Sequence, residues 1–149
     1  MASDINQMFG VPMGARLKDI AAKKNKKSDT VYDLKTVPAP HPLLKEYSVT
    51  ATPEDGVCSI VGSTGLLTQE KASRVASTII SQLTDAYGEP VVPASMYGMW
   101  KWTTDGDIKI IGVSRLLPMY DKSAVFVSAT YTNYDECQKI KMENPFKSD

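Results

Sequence analysis

The 149-residue chain has a single histidine, two cysteines, no net charge and no long apolar run, and each shortage removes a class of function. The histidine, His41, stands between Pro40 and Pro42, so any Ser-His-Asp or Cys-His site would have to be built around that one ring. Zinc sites take several His or Cys ligands at recognisable spacing, and the chain offers no such set. Neither a metal nor a cofactor is expected. Seventeen basic and seventeen acidic side chains cancel, which leaves no overall field to draw in nucleic acid or an anionic membrane. The longest apolar stretch, residues 76–83, is broken by Ser77, Thr78, Ser81 and Gln82. It falls far short of the ~20 residues that span a bilayer, so membrane insertion is not expected. Met1-Ala2-Ser3-Asp4 lacks the charged start and apolar core of an export signal. Two expectations follow: a cytoplasmic protein with a native Met1, or a periplasmic or envelope protein whose signal was removed.

Cys58 and Cys137 match no zinc or redox spacing. Two readings stand: a disulfide formed in an oxidising compartment, or a Cys58 thiol buried within the apolar run 56–61.

What is present is an ordinary globular composition, about 42% apolar, enough for one domain over residues 1–149. Residues 9–14 read as extended. Leu17, Ile20 and Ala21 share a stripe that predicts a short helix over 15–24. Strands are expected at 30–37, 47–52 and 57–61, the last two joined by the turn Pro53-Glu54-Asp55-Gly56. Pro38, Pro40 and Pro42 exclude helix or central strand from their connector. The longest helix is predicted over 68–87, with Ala72, Val75, Ala76, Ile79, Leu83, Ala86 and Tyr87 on one face. Thr68 caps it and Gly88 with Pro90 stops it. Strands at 98–104 and 107–116 flank Asp105-Gly106, a strong hairpin signal. A further strand covers 123–132, with Val125, Val127, Ala129 and Tyr131 on one side. Asn133 and Glu136 resemble a capping box for a final helix over 133–144. The fold class predicted is α+β: an antiparallel sheet of about six strands, helices on one face, and two αβββ halves, 9–63 and 66–132.

Other motifs have plain structural explanations. Gly62-Ser63-Thr64-Gly65 lacks the lysine of a phosphate loop and reads as a connection. The acid pairs Glu54/Asp55 and Asp105/Asp107 sit in turns, and Asp135/Glu136 sit in a helix's first turn. The cluster Arg16, Lys18, Lys23, Lys24, Lys26 and Lys27 reads as a solvated surface, with nucleic-acid binding through it as an alternative. An enzyme or small-ligand site using His41 with a carboxylate is a second alternative. In Met96-Tyr97-Gly98-Met99-Trp100-Lys101-Trp102, alternation puts both tryptophans on one side and Met99 with Lys101 on the other. Which side is the core is left open.

Tyr87-Gly88-Glu89-Pro90, then a loop, then Trp100-Lys101-Trp102 and a meander resemble the small bacterial outer-membrane-assembly lipoproteins. They also resemble the repeat unit of the beta-lactamase-inhibitor-protein family. Gly14-Ala15-Arg16-Leu17-Lys18-Asp19-Ile20 is similar to the helix opening of those repeats. The resemblance implies a fold that binds proteins and performs no chemistry. The reading is therefore a non-enzymatic binding module of the inhibitor, immunity or envelope-assembly kind, from a bacterium or phage. Its partner is another protein, with a homodimer as an option. The expected contacts are His41, Tyr97, Met99, Trp100, Trp102, Met119 and Tyr120.

Overall fold

Alternation of buried and less buried positions, clearest at 46–52 and 125–131, decides the architecture. The structure is a computed structural model that describes residues 6–20, 22–24, 29–91, 99–116 and 121–137. In chain order its elements are β1 (Gln7–Met8), β2 (Val11–Pro12), a 3-10 turn at Leu17–Asp19, β3 (Ala22–Lys24), β4 (Val31–Leu34), β5 (Glu46–Thr52), β6 (Gly56–Ser63) and β7 (Leu67–Thr68). There follow α1 (Gln69–Tyr87), β8 (Met99–Thr103), β9 (Ile108–Arg115), β10 (Lys122–Ser123) and β11 (Val125–Tyr131). Seven strands form one antiparallel sheet in the order β3-β4-β5-β6-β11-β9-β8. The predicted α+β class with a large antiparallel sheet is what the structure shows.

Register aligns the apolar positions across the whole sheet. Leu34, Tyr47, Gly62, Val127, Val113 and Trp100 form one row, and Tyr32, Val49, Ile60, Ala129, Ile111 and Trp102 another. Because side chains alternate with period two, both rows face one side, and that side is the core. Gly62 is needed in its row: a Cβ there would stand 2.8 Å from Leu44 Cδ1 and 3.2 Å from Phe9 Cε2.

Two elements cover the core side. The helix α1 buries Ala72, Val75, Ala76 and Ile79 and packs chiefly on β9, with β7, β10 and β11 beside it. Thr68 Oγ1 accepts the Lys71 N–H at 3.2 Å, and the Gly88 N–H closes the far end on the Thr84 carbonyl at 2.8 Å. The predicted face holds except at Ala86, which is exposed, while Leu83 and Tyr87 are half-buried. The other cover is the β1–β2 ribbon. Its two-residue turn, Phe9-Gly10, has positive φ at both positions, the twist that suits a tight hairpin. This turn replaces the extended path expected for residues 9–14. Phe9 takes that strained conformation for a bulky residue and is buried edge-on against Tyr47, with ring centroids 5.1 Å apart.

The α-helix predicted over 15–24 does not form. The Gly14 N–H donates to the Val57 carbonyl at 2.8 Å, and the Val57 N–H donates to the Ala15 carbonyl at 3.0 Å, so this backbone is tied to β6. Arg16 donates to the carbonyls of Pro53 and Glu54, which holds it extended. A stripe of three apolar residues is one helical turn, too little to meet the cost of nucleation. Only the 3-10 turn survives, and the αβββ order is kept in the second half alone. Gly56 permits the close pairing: its φ is +70°, and a Cβ would lie 2.3 Å from the Gly14 carbonyl oxygen.

Residues 134–137 form a helical turn, and the remainder of the predicted 133–144 helix lies outside the described residues. Asn133 does not cap that turn with its side chain. Its Nδ2 donates to the Val57 carbonyl at 3.1 Å, tying the turn to β6, and its Oδ1 has no partner among the described residues. Cys58 and Cys137, both buried, are joined in a disulfide with Cα atoms 6.6 Å apart.

Candidate functional site

The single histidine is held in place by its own loop. Its Nδ1 accepts the Leu43 N–H at 3.0 Å, which leaves the ring proton on Nε2, 2.9 Å from Gln82 Oε1 on α1. Its backbone N–H donates to the Tyr47 hydroxyl at 3.0 Å. The ring thus latches the proline connector to the helix. A His41-based enzyme needs a carboxylate or a nucleophile beside the ring, and the hydrogen-bond partners here are an amide and a backbone N–H. Among the described residues no group of three or more His, Cys, Asp or Glu could hold a metal.

Burial perturbs three hydroxyls. Tyr131 is fully buried at the end of β11, its OH donating to the Val11 carbonyl and accepting the Met8 N–H at 3.2 Å. Burial, more than any other influence, pushes its pKa up to about 12. Tyr47 and Tyr87 are also raised, again chiefly by desolvation. The Tyr131 contacts pin the β1–β2 ribbon to the sheet and are structural.

The aromatic strand resolves clearly. Trp102 is 1% exposed and its Nε1 donates to the Gly88 carbonyl at 2.8 Å, tying the helix end to β8. It is therefore removed from the expected contact surface. Trp100 is half-buried on the same core side, and Met99 is 41% exposed on the opposite side with Lys101. Tyr97, Met119 and Tyr120 lie outside the described residues. Of the basic cluster, Arg16 spends its guanidinium on two carbonyls, and Lys18 and Lys23 are exposed. The Lys24 side chain, Lys26 and Lys27 lie outside the described residues.

The opposite face of the sheet gathers the side chains that lie outside the core cluster among the described residues, with Ser59 and Ser63 buried in it. Among the described residues neither α1 nor the β1–β2 ribbon lies over it. Three rows of residues build it. Asp33, Ser48, Val61, Ser128, Gly112 and Lys101 form the middle row; Glu46, Ser63, Phe126, Ser114 and Met99 flank it on one side, and Val31, Thr50, Ser59, Thr130, Ile110 and Thr103 on the other. A solvated antiparallel face ordinarily alternates polar residues outward. Within these rows the four central strands β5, β6, β11 and β9 carry one charge, Glu46, beside hydroxyls, a glycine, and Val61, Phe126 and Ile110; Lys109 stands outside the rows, at the irregularity of β9 next to Ile110. Two shallow depressions indent it. One, of about 170 Å³, lies beside Ser48, Val61 and Phe126; the other, of about 160 Å³, lies over Gly112 between Met99 and Ser128.

Alternation in the strand at 123–132 declares its core side, and the side left outward is not among the contacts expected from sequence. The signal was there: a phenylalanine at 126 among Ser128 and Thr130, out of phase with the apolar set. No protein family, curated protein or solved structure matches the chain.

Proposed function

We propose that this chain is a non-catalytic module that binds another protein through the uncovered face of its sheet. The observation that carries the reading is the composition of that face. Phe126, Val61, Ile110 and Met99 stand among short hydroxyl side chains, with Asp33, Glu46 and Lys101 as the charged residues of the three rows, and apolar surface rimmed by polar groups marks interaction sites. Serine and threonine lose little conformational freedom on docking compared with the lysines and glutamates of an ordinary solvated sheet. Met99 and Phe126 take over the contact role assigned from sequence to the tryptophans. The resemblance of the Tyr87 to Trp102 stretch to inhibitor repeats and envelope-assembly lipoproteins points the same way. The Cys58–Cys137 disulfide supports an oxidising compartment.

The test is affinity capture from the source organism with the intact chain, compared with a Met99→Ser, Phe126→Ser variant of matched melting temperature. At least one captured protein should fall about tenfold or more in the variant, since truncating central apolar contacts has effects of that size. Equal recovery of every captured protein would assign recognition elsewhere.

A further inference from the structure

The uncovered face is complementary to itself. Six of its strands divide evenly about the seam between β6 and β11: β4, β5 and β6 on one side, β11, β9 and β8 on the other. Across that seam each large residue stands level with a small one, Phe126 with Ser63 and Val61 with Ser128. One position further out, Ser48 is level with Gly112, and at the ends of the same row Asp33 is level with Lys101.

A two-fold axis parallel to the strands and above the seam exchanges the two sides while keeping each height. It sets Phe126 of one copy over Ser63 of the other, Val61 over Ser128, and Asp33 opposite Lys101, each twice. Lys23 lies beside Asp33 on the outermost strand β3, so size matching across the seam carries more of the argument than the charges do. Ser63 is already only 8% exposed and its hydroxyl accepts the Gly65 N–H at 3.0 Å, so a ring docked over it adds little burial at that residue and leaves the amide paired. Isologous interfaces require this kind of symmetry within a single patch, and a foreign partner does not.

We infer that the partner of this face is a second copy of the same chain, the two sheets packing face to face as an aligned β-sandwich. The inference rests on the reading that the uncovered face binds protein, and it names the occupant. A two-fold along the strands keeps the strand directions of the two sheets in line, inside the range of about 30° that aligned sandwiches occupy. Six strands ~4.8 Å apart and about six residues long give roughly 600 Å² of plane per copy, so a pair clears the ~1,000 Å² of a specific interface.

Sedimentation equilibrium of the full chain from about 1 to 200 μM gives the test, alongside circular dichroism of each variant. The wild type should pass from monomer to dimer, and Phe126→Ser and Lys101→Glu should each raise the dissociation constant about tenfold. A second measurement does not depend on destabilising changes. Val61→Cys chains mixed with Ser128→Cys chains and oxidised should yield a disulfide-linked heterodimer, which neither chain gives alone. A wild type that remains monomeric at 200 μM overturns the inference and leaves capture of a foreign protein by this face standing. A dimer indifferent to both substitutions and uncrosslinked in the mixture overturns the face as its interface.

Discussion

Replacing Tyr131 with phenylalanine should both weaken the fold and change its response to alkali. The ring stays, so the core volume is kept. What goes is the hydroxyl that donates to the Val11 carbonyl and accepts the Met8 N–H, leaving two buried or half-buried backbone groups unpaired. Such losses cost about 1–3 kcal/mol, and for a chain of this length each kcal/mol moves the melting temperature by roughly 3 °C. The pH dependence separates this hydroxyl from a mere packing effect. Its pKa is about 12 in the folded chain against 10.0 as the ordinary value, so the folded state holds the proton more tightly than the unfolded one. The stability tied to that proton is fully present below pH 10 and is lost as pH rises through 12. At pH 11 the wild type should have given up about 1.4 kcal/mol from this group, and the variant nothing. Urea unfolding of both proteins at pH 8 and pH 11 should therefore show the gap between them narrowing by about that amount. Every other group is common to the two proteins and cancels in the difference. A gap that is the same at both values would refute the assignment of Tyr131 as a neutral, buried anchor.

Two further outcomes follow from other parts of the fold. The disulfide closes a loop of 79 residues, for which chain entropy gives about 4.5 kcal/mol; reduction should lower the melting temperature by about 10–15 °C, and a shift under 3 °C would deny the staple its role. His41→Ala removes the acceptor of the Leu43 N–H and the tie to Gln82, so calorimetry should find a loss of about 1–2 kcal/mol with partner capture unchanged at temperatures below the transition. Intact stability with lost function would instead make the ring a functional group.

The sheet was legible because period-two alternation is a local property: 47–52 and 123–132 each declare a core side without knowledge of their neighbours. The long helix was legible for a related reason, its apolar stripe running through five turns between Thr68 and Gly88. The segment at 15–24 misled because its fate depends on Val57 and Pro53, more than 30 residues away, which claim its backbone and its arginine. Asn133 misled in the same manner, since the carbonyl it seeks belongs to another strand. The tryptophans could not be assigned to a side from alternation alone; the Gly88 carbonyl, placed by the end of α1, settles Trp102 inward. The uncovered face was the hardest to read, because serine and threonine between core residues look like ordinary solvated positions. Only the register, which lines up Phe126 with Ser63 and Val61 with Ser128, reveals the patch as continuous.

The position of β11 bears on how the molecule is made. It lies between β6 and β9, yet it follows every other strand along the described chain. During synthesis the segment through Ser63 and the hairpin from Met99 to Arg115 emerge earlier, each with an unsatisfied strand edge, and neither can be joined to the other until residues 125–131 leave the ribosome. Tyr131, which fastens the opening ribbon, arrives at the close of that interval. Pairing at long sequence separation is slow, and open edges invite association between nascent chains. Deleting this one strand would thus release two half-sheets, not a slightly smaller protein.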